Sequence, residues 1–456
     1  MAKNRKKVYE NKNESNVKCD CVIMYEQLLE KISARTSKIG IMGQGYVGLP
    51  LSVELSKKGF GITGFEVDEY KVKMINSGQS YVGDVSADDI KELVSNKQFN
   101  ATTDFENLSE MDVVIICVPT PLRKSKNPDV SYIIEASKSI KKTLRKGQLI
   151  ILESTTYPGT TDELVLPMLE DTGLNVSVDF FLAFSPERID PSNKKFGIKD
   201  TPKVVGGLCE KCTELAAAVY SSFTKVHKVS STQAAEMVKL LENTFRAVNI
   251  ALVNEVALMC DKLGLNVWEI IEAAATKPFG FMPFYPGPGI GGHCIPSDPH
   301  YLSWKLKTLN FYSRFIELAG ELNSKMPEYV VAKVADALNS KEKALKNSKV
   351  LVFGAAYKKD IADVRESPAI DVMNLLLEKG VRVSYYDPYV PVVQNCSCRW
   401  ALSSIKNLVG LNKYDVAVVV TDHTNIDYKK VLKESNIIVD ARNAFKNTKS
   451  NKIVRI

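Results

Sequence analysis

One stretch, KIGIMGQGYVGLPLSVELSKKGFGITGFEVD from Lys38 to Asp68, constrains the fold more than any other part of the chain. An apolar run ends on Gly43, Gly45 and Gly48, spaced G-x-G-x-x-G; a helical pattern follows, and a second apolar run closes on Glu66. This order predicts a strand, a glycine turn, a helix and a parallel strand. The first glycine permits the tight turn, the second lets backbone approach a pyrophosphate, and the third allows close helix packing. The helix N-terminus favours the negative charge. Glu66 suits a ribose 2'-hydroxyl and repels a 2'-phosphate, so the pattern predicts NAD rather than NADP.

The α/β alternation continues through VVIICVP, LIILEST and FFLAFSP, which predicts a mostly parallel sheet flanked by helices. From about Ser231 to Leu263 an uninterrupted helical pattern runs without Pro or Gly. A loop then follows, FGFMPFYPGPGIGGHCIPSDP, whose prolines and glycines exclude regular structure. After a helical stretch around 311–340, a second strand–turn–helix–strand begins at KVLVFGAAYKKD and reaches VRVSYYDP, YDVAVVVTD and NIIVDAR. The expected fold class is therefore α/β, with two Rossmann-like domains of mostly parallel sheets joined by a long central helix. The expected divisions are an N-terminal extension over 1–36, a dinucleotide domain over 37–230, a central helical region over 231–330 and a second Rossmann-like domain over 331–456. In the extension, a mobile tail is expected before a short helix at YEQLLEKI. The second turn keeps only Gly354, which argues against a second dinucleotide and leaves room for a less demanding nucleotide such as UDP.

Composition narrows the function classes. The net charge of +7 is spread over 456 residues, which gives no case for nucleic acid. No apolar run reaches the length of a membrane span and the MAKNRKK start has no secretory character, so a cytoplasmic protein is expected. Nine cysteines are too scattered for a disulfide framework. Cys209/Cys212, Cys19/Cys21 and Cys396/Cys398 form close pairs, but no histidine accompanies them at ligand spacing, so no metal is expected.

Two features invite chemistry. Cys294 sits among glycines in GIGGHCIPSD, a setting that leaves room for substrate and supplies amides to a thiolate. Lys239, Asn243 and Arg246 fall at i, i+4 and i+7 on the long helix and share a face, where they suit an oxyanion and a carboxylate or phosphate. From the residues alone, a structural cysteine and a solvated helix face remain open alternatives.

The ordered set GQGYVGLP, CVPTPL, ESTTYPGTT, SPER, EMVKLLENTFRAVNIALVNE, GPGIGGHCIPSDP and AAYKKDIADVRESPA resembles the UDP-glucose/GDP-mannose dehydrogenase family across about residues 38–445. The resemblance implies an NAD-binding domain, a helical middle that dimerises and a C-terminal domain that grips UDP. It implies oxidation of a UDP-sugar at C6 to the acid, with two NAD consumed per sugar. Cys294 matches the nucleophile that forms a thiohemiacetal and then a thioester, and Lys239 and Asn243 match the oxyanion-stabilising pair. Asp298 matches the acid that works with the lysine, Glu187 a general acid/base for hydrolysis, and Thr155 a threonine near the reacting carbon. For NAD it implies contacts at Gly43, Gly45, Tyr46, Val47, Gly48, Glu66, Lys71, Thr120, Thr155 and Arg365. For the nucleotide sugar it implies Glu187, Arg188, Lys239, Asn243, Arg246, Gly291, Tyr357 and Lys358. A surface charge is the competing reading for Arg365 and Lys358, and a turn-capping residue for His293.

Ser297 stands where UDP-glucose enzymes of the family usually carry a lysine, and RIDPSN where they have a phenylalanine and a later glutamate. PERIDPSN and PGPGIGGHCIP look more like the branch that oxidises UDP-N-acetylhexosamines. UDP-N-acetylglucosamine is the expected substrate, with UDP-glucose and the manno and galacto N-acetyl epimers as alternatives. Two rival functions are a two-electron hydroxyacid dehydrogenase that needs no cysteine and a non-catalytic nucleotide-sugar sensor.

Overall fold

The computed structural model describes residues 14–123, 127–190, 196–394 and 400–456, with side chains from Cys21 onward. The chain forms two compact units that divide between Leu241 and Glu242, inside the helix Thr232–Leu263. That helix is 32 residues long, and no proline or glycine interrupts it.

The first unit holds an eight-stranded sheet: β1 (Lys38–Met42), β2 (Gly61–Phe65), β3 (Phe99–Thr102), β4 (Val113–Ile116), β5 (Leu149–Leu152), β6 (Phe181–Phe184), β7 (Lys203–Gly207) and β8 (Val226–Lys228). Their order is β3-β2-β1-β4-β5-β6-β7-β8, and every pairing is parallel except β6 with β7. Strands β4, β5 and β6 are buried along their whole length, because helices cover both faces; hence they read as continuous apolar runs without alternation. The reversal at β7 carries no apolar signature of its own, since Lys203 and two glycines dilute it, and the sequence reading did not name that strand.

The N-terminal helix runs over Glu14–Ser33, longer than the short helix expected at YEQLLEKI. Leu28 and Ile32, four residues apart, are buried in the core of this unit, and the Cys21 thiol donates to the Ser177 carbonyl at 2.9 Å. Residues 1–13 of the expected tail and the Cys396/Cys398 pair lie outside the described residues.

The second unit has a five-stranded parallel sheet ordered β10-β9-β13-β14-β15, built from β9 (Lys349–Phe353), β10 (Arg382–Tyr386), β13 (Val416–Val419), β14 (Ile438–Asp440) and β15 (Ile453–Arg455). A small antiparallel pair, β11 (Val392–Gln394) and β12 (Ala401–Ser403), stands beside it. The helix Arg314–Asn339 packs Met326, Val330, Val331 and Val334 into this unit's core. Two Rossmann-like sheets and a long helix are thus what the sequence predicted. Among the described residues no helix is long and apolar enough to cross a membrane, and no group of three or more His, Cys, Asp or Glu could hold a metal.

Candidate active site

In the first unit the glycine turn is built as its spacing implies. Gly43 adopts φ +88, and a methyl there would stand 2.7 Å from the Cys117 carbonyl oxygen. A methyl at Gly48 would stand 1.9 Å from the Gly43 carbonyl oxygen, so the third glycine lets the helix Gly48–Lys57 approach its own turn. At Gly45 a methyl would meet nothing within 4 Å; this is the open side of the turn, where a pyrophosphate fits. Glu66 is buried at the end of β2 and accepts from the Gln44 amide at 3.0 Å and the Val67 amide at 2.9 Å. Lys71 Nζ lies 3.5 Å from Glu66 Oε2, Thr120 is buried and Tyr46 is exposed. The Tyr81 hydroxyl donates to the Gln44 carbonyl at 2.6 Å and pins the turn, a contact that no sequence pattern announced. This cradle fits NAD.

At the carboxyl end of the same sheet, where parallel α/β folds bind ligands, two further groups assemble. The Lys239 ammonium, only 8% exposed, donates to the Thr155 hydroxyl, which removes the solvated-face alternative for this lysine. One turn earlier on the helix, Glu236 accepts from the Gly159 amide at 2.6 Å, the Thr161 amide at 2.9 Å and the Thr161 hydroxyl at 2.7 Å. It thereby fixes the TTYPGTT segment that carries Thr155. Burial pushes Glu236 up to about 7 against those hydrogen bonds.

The second group surrounds Glu187. Its Oε1 accepts from the Arg188 amide at 2.8 Å and the Ile189 amide at 2.7 Å, and its Oε2 accepts from Lys203 Nζ at 2.7 Å. The same ammonium donates to Glu153, whose other oxygen accepts from the Tyr220 hydroxyl at 2.5 Å. Burial opposes the charge on Glu187, but Lys203 and the backbone amides outweigh it and hold the carboxyl below its usual range. For Glu153, burial and the neighbouring Glu187 prevail over Lys203, and its pKa rises to about 7.

In the second unit, Cys294 lies one turn ahead of the helix Asp298–Lys307: its carbonyl accepts from the Ser297 amide at 3.1 Å and the Asp298 amide at 2.8 Å. The positive end of that helix favours an anion there. Asn243 Nδ2 donates to Asp298 Oδ2 at 2.6 Å, so two of the residues singled out from sequence meet. Asn243 follows Lys239 by four positions along one helix. The glycines before the cysteine accommodate Tyr357: a methyl at Gly291 would stand 2.5 Å from its Cβ, and one at Gly292, where φ is +88, 2.8 Å from its ring. Upstream, the Gly287 amide donates to Asn254 Oδ1 at 2.9 Å, and Asn254 Nδ2 to Asn323 Oδ1 at 2.9 Å. Both asparagines are buried, and within helical runs they gave no signal of their own.

Other predicted residues border these clusters: the Arg188 amide donates to Glu187, and the Arg365 carbonyl accepts from the Gly292 amide at 3.1 Å. Arg365 pairs with Asp363, its NH2 2.6 Å from Oδ2. Arg188 NH1 donates to the Pro202 carbonyl at 2.7 Å, Lys358 is half-buried, and Arg246 is exposed on the helix. Of RIDPSN, Pro191, Ser192 and Asn193 lie outside the described residues. Cys209 and Cys212 stand 3.1 Å apart at the start of the helix Glu210–Tyr220.

Sequence models of the UDP-glucose/GDP-mannose dehydrogenase family match the chain as its NAD binding domain over residues 37–224, its central domain over 233–325 and its UDP binding domain over 351–447. A UDP-N-acetyl-D-glucosamine 6-dehydrogenase from Pseudomonas aeruginosa is 36% identical over 356 residues, covering 77% of this chain and 83% of that protein. A UDP-N-acetyl-D-mannosamine dehydrogenase from Pyrococcus horikoshii is 35% identical over 418 residues, covering 90% of this chain and 96% of that protein. The solved structure of a UDP-D-ManNAc dehydrogenase from Pyrococcus horikoshii superposes with a TM-score of 0.82 at 33% identity, covering 92% of this chain and 99% of the other. The glycine cradle, the long helix and these matches along the chain agree: it belongs to the UDP-glucose/GDP-mannose dehydrogenase family and is an NAD-dependent nucleotide-sugar dehydrogenase.

Proposed function

We propose that this enzyme oxidises the C6 hydroxymethyl of a UDP-N-acetylhexosamine to the carboxylate in two steps, with UDP-N-acetylglucosamine as substrate. The observation that carries the chemistry is Cys294 at the head of the helix Asp298–Lys307, with Asp298 held by Asn243. When bound, NAD supplies the hydride acceptor for both oxidations. The alcohol loses a hydride and a proton to become an aldehyde, and the Cys294 sulfur adds to its carbon to give a thiohemiacetal. Loss of a second hydride and proton leaves a thioester, and water then releases the acid and the thiol. Lys239 and Asn243 compensate the charge that develops on oxygen, Thr155 fixes the Lys239 ammonium, Asp298 exchanges protons with the lysine, and Glu187 serves the hydrolytic water. Gly43, Gly45, Tyr46, Val47, Gly48, Glu66, Lys71 and Thr120 are assigned to NAD, together with Arg365. Arg188, Arg246, Gly291, Tyr357 and Lys358 are assigned to the nucleotide sugar.

The N-acetylhexosamine assignment rests on PERIDPSN and PGPGIGGHCIP, and the choice of glucosamine on the Pseudomonas aeruginosa relative. UDP-N-acetylmannosamine is the second reading, since a relative so named covers 90% of the chain. A homodimer is also proposed: Leu241, Phe245, Leu252, Met259 and Leu263 form an exposed apolar stripe along the long helix. Size-exclusion chromatography with light scattering tests it, and a monomer at micromolar concentration would refute it.

The deciding measurement is NADH formed per mole of limiting UDP-N-acetylglucosamine, with the manno and galacto epimers and UDP-glucose run in parallel. Two equivalents from one sugar, abolished in Cys294→Ala, are expected. One equivalent, with insensitivity to thiol alkylation, would replace this reading with a two-electron dehydrogenase. NAD binding without turnover of any sugar would replace it with a sensor.

A further inference from the structure

Glu187 does not stand alone. Strands β6 and β7 pair antiparallel with Ala183 opposite Gly207 and Phe184 opposite Gly206. Each pair of numbers sums to 390, so the same register carried past the strand ends sets Lys203 opposite Glu187. The reversed strand thus brings its first residue to the edge of the sheet where the parallel strands β5 and β6 release Glu153 and Glu187. All three side chains are buried, and Lys203 Nζ also lies 5.1 Å from the centre of the Tyr220 ring.

We propose that Lys203 is a positioning residue for the hydrolytic half of the reaction: it holds Glu187 ionised and aimed, while Glu153 and Tyr220 hold the lysine from behind. The proposal deepens the functional reading above and rests on it.

Two buried carboxylates share one buried ammonium, so one further proton has a place among them. Glu153 receives it: Glu153 takes donors only from side chains, whereas two backbone amides stabilise the Glu187 anion. Glu187 is therefore a base at neutral pH, able to take a proton from the water that attacks the thioester. The alternative is an ion pair that merely ties the ends of β5, β6 and β7 together. A buried ion pair, however, is generally no more stabilising than apolar side chains of the same volume. These charges also stand at the sheet edge where this fold binds ligands.

The test uses the full-length enzyme and its best UDP-sugar, with Lys203→Met, Lys203→Arg and the double variant Glu153→Gln/Lys203→Met. The double variant removes one cation and one anion together, and it replaces Lys203→Met in every measurement if the single variant does not fold. Without the lysine, the Glu187 pKa rises, so the acid limb of the kcat profile moves to higher pH by at least about one unit. Steady-state kcat falls about 100-fold, the scale of a lost general base. The oxidations proceed, so a rapid burst of NADH persists. Intact-mass spectrometry then finds Cys294 carrying the UDP-sugar less four hydrogens, the trapped thioester. Lys203→Arg, which keeps the charge, returns the acid limb to its wild-type position and clears the adduct. A fall in kcat with an unmoved acid limb and no adduct, or an equal loss of the burst, would overturn the proposal. Wild-type NADH stoichiometry and the dependence of the adduct on Cys294 report separately on the functional reading.

Discussion

The two sheets carry the same turn put to opposite uses. Gly43 after β1 and Gly354 after β9 adopt φ +88 and +86, and each presses on the end of the neighbouring parallel strand, at Cys117 and Thr421. In both units an acid at the end of the next strand accepts the turn amides: Glu66 from Gln44, and Asp387 from Ala355 and Ala356 at 2.7 and 3.0 Å. Past that point they diverge. In the first unit the helix begins at Gly48 and the turn is open at Gly45. In the second the helix begins only at Pro368, and both alanines are fully buried. Asp387 also accepts from the Tyr389 and Val390 amides and from His423 Nε2, while His423 Nδ1 accepts from the Asp360 amide. The second turn is thus closed by its own side chains. The detour before Pro368 carries Tyr357, Lys358 and Arg365, and its tyrosine packs on the glycines that precede Cys294. The turn of the NAD binding domain and that of the UDP binding domain therefore differ by where the helix starts and by what saturates the acid.

Breaking the first turn should have the largest effect. In Gly48→Ala a methyl would stand 1.9 Å from a backbone oxygen, with no flexible side chain to yield. The expected cost exceeds about 4 kcal/mol, enough to remove cooperative unfolding of the first unit. A circular-dichroism melt with wild-type midpoint would show that the helix start is not what shapes the turn.

The second turn breaks through its acid instead. Asp387→Ala leaves four amides, those of Ala355, Ala356, Tyr389 and Val390, and the His423 ring short of a partner, at a cost of roughly 3 kcal/mol or more. NAD affinity should stay at the wild-type value. An unchanged melting temperature would mean that the acid does not close this turn.

Gly45→Ala sharpens the contrast at a smaller scale. Nothing lies within 4 Å of the added methyl, so stability should hold within about 0.5 kcal/mol. The dissociation constant for NAD should rise about tenfold, near 1.4 kcal/mol, because the methyl takes the space left for the pyrophosphate. Calorimetric titration that finds undiminished affinity would move the cofactor away from this turn.

How far the sequence foretold this depends on the range of the forces involved. The turn Gly43–Gly48, the buried strands and the long helix are local, set by glycine spacing and apolar periodicity, and the structure has them where the pattern put them. The meetings of Lys239 with Thr155 and of Asn243 with Asp298 join residues far apart in the chain. Those residues were singled out by helical spacing and by resemblance, while their pairing had no sequence signal. Lys203, Glu153, Glu236 and Asn254 were not singled out. Each is polar in an apolar or helical context, and its purpose depends on a partner that only the folded chain supplies. Strand β7 was missed for a related reason, since its lysine is tied to Glu153 and Glu187 and its glycines serve close packing rather than an apolar run.

The smallest expected effect is also the most discriminating. Ala356→Gly gives the second turn a glycine two residues after Gly354, the spacing of Gly43 and Gly45 and one step closer to the dinucleotide motif. If glycine content alone made the cofactor site, this variant would begin to bind a second NAD. It should not, because Asp387 already takes donors on both oxygens and the helix whose N-terminus would meet a phosphate starts only at Pro368. The expected outcome is a loss of about 0.5–1 kcal/mol, from the greater backbone freedom of glycine in the unfolded chain. Calorimetric titration should still give one NAD per chain. A second binding event would show that the saturated acid and the late helix are incidental, and that the two turns differ only by their glycines.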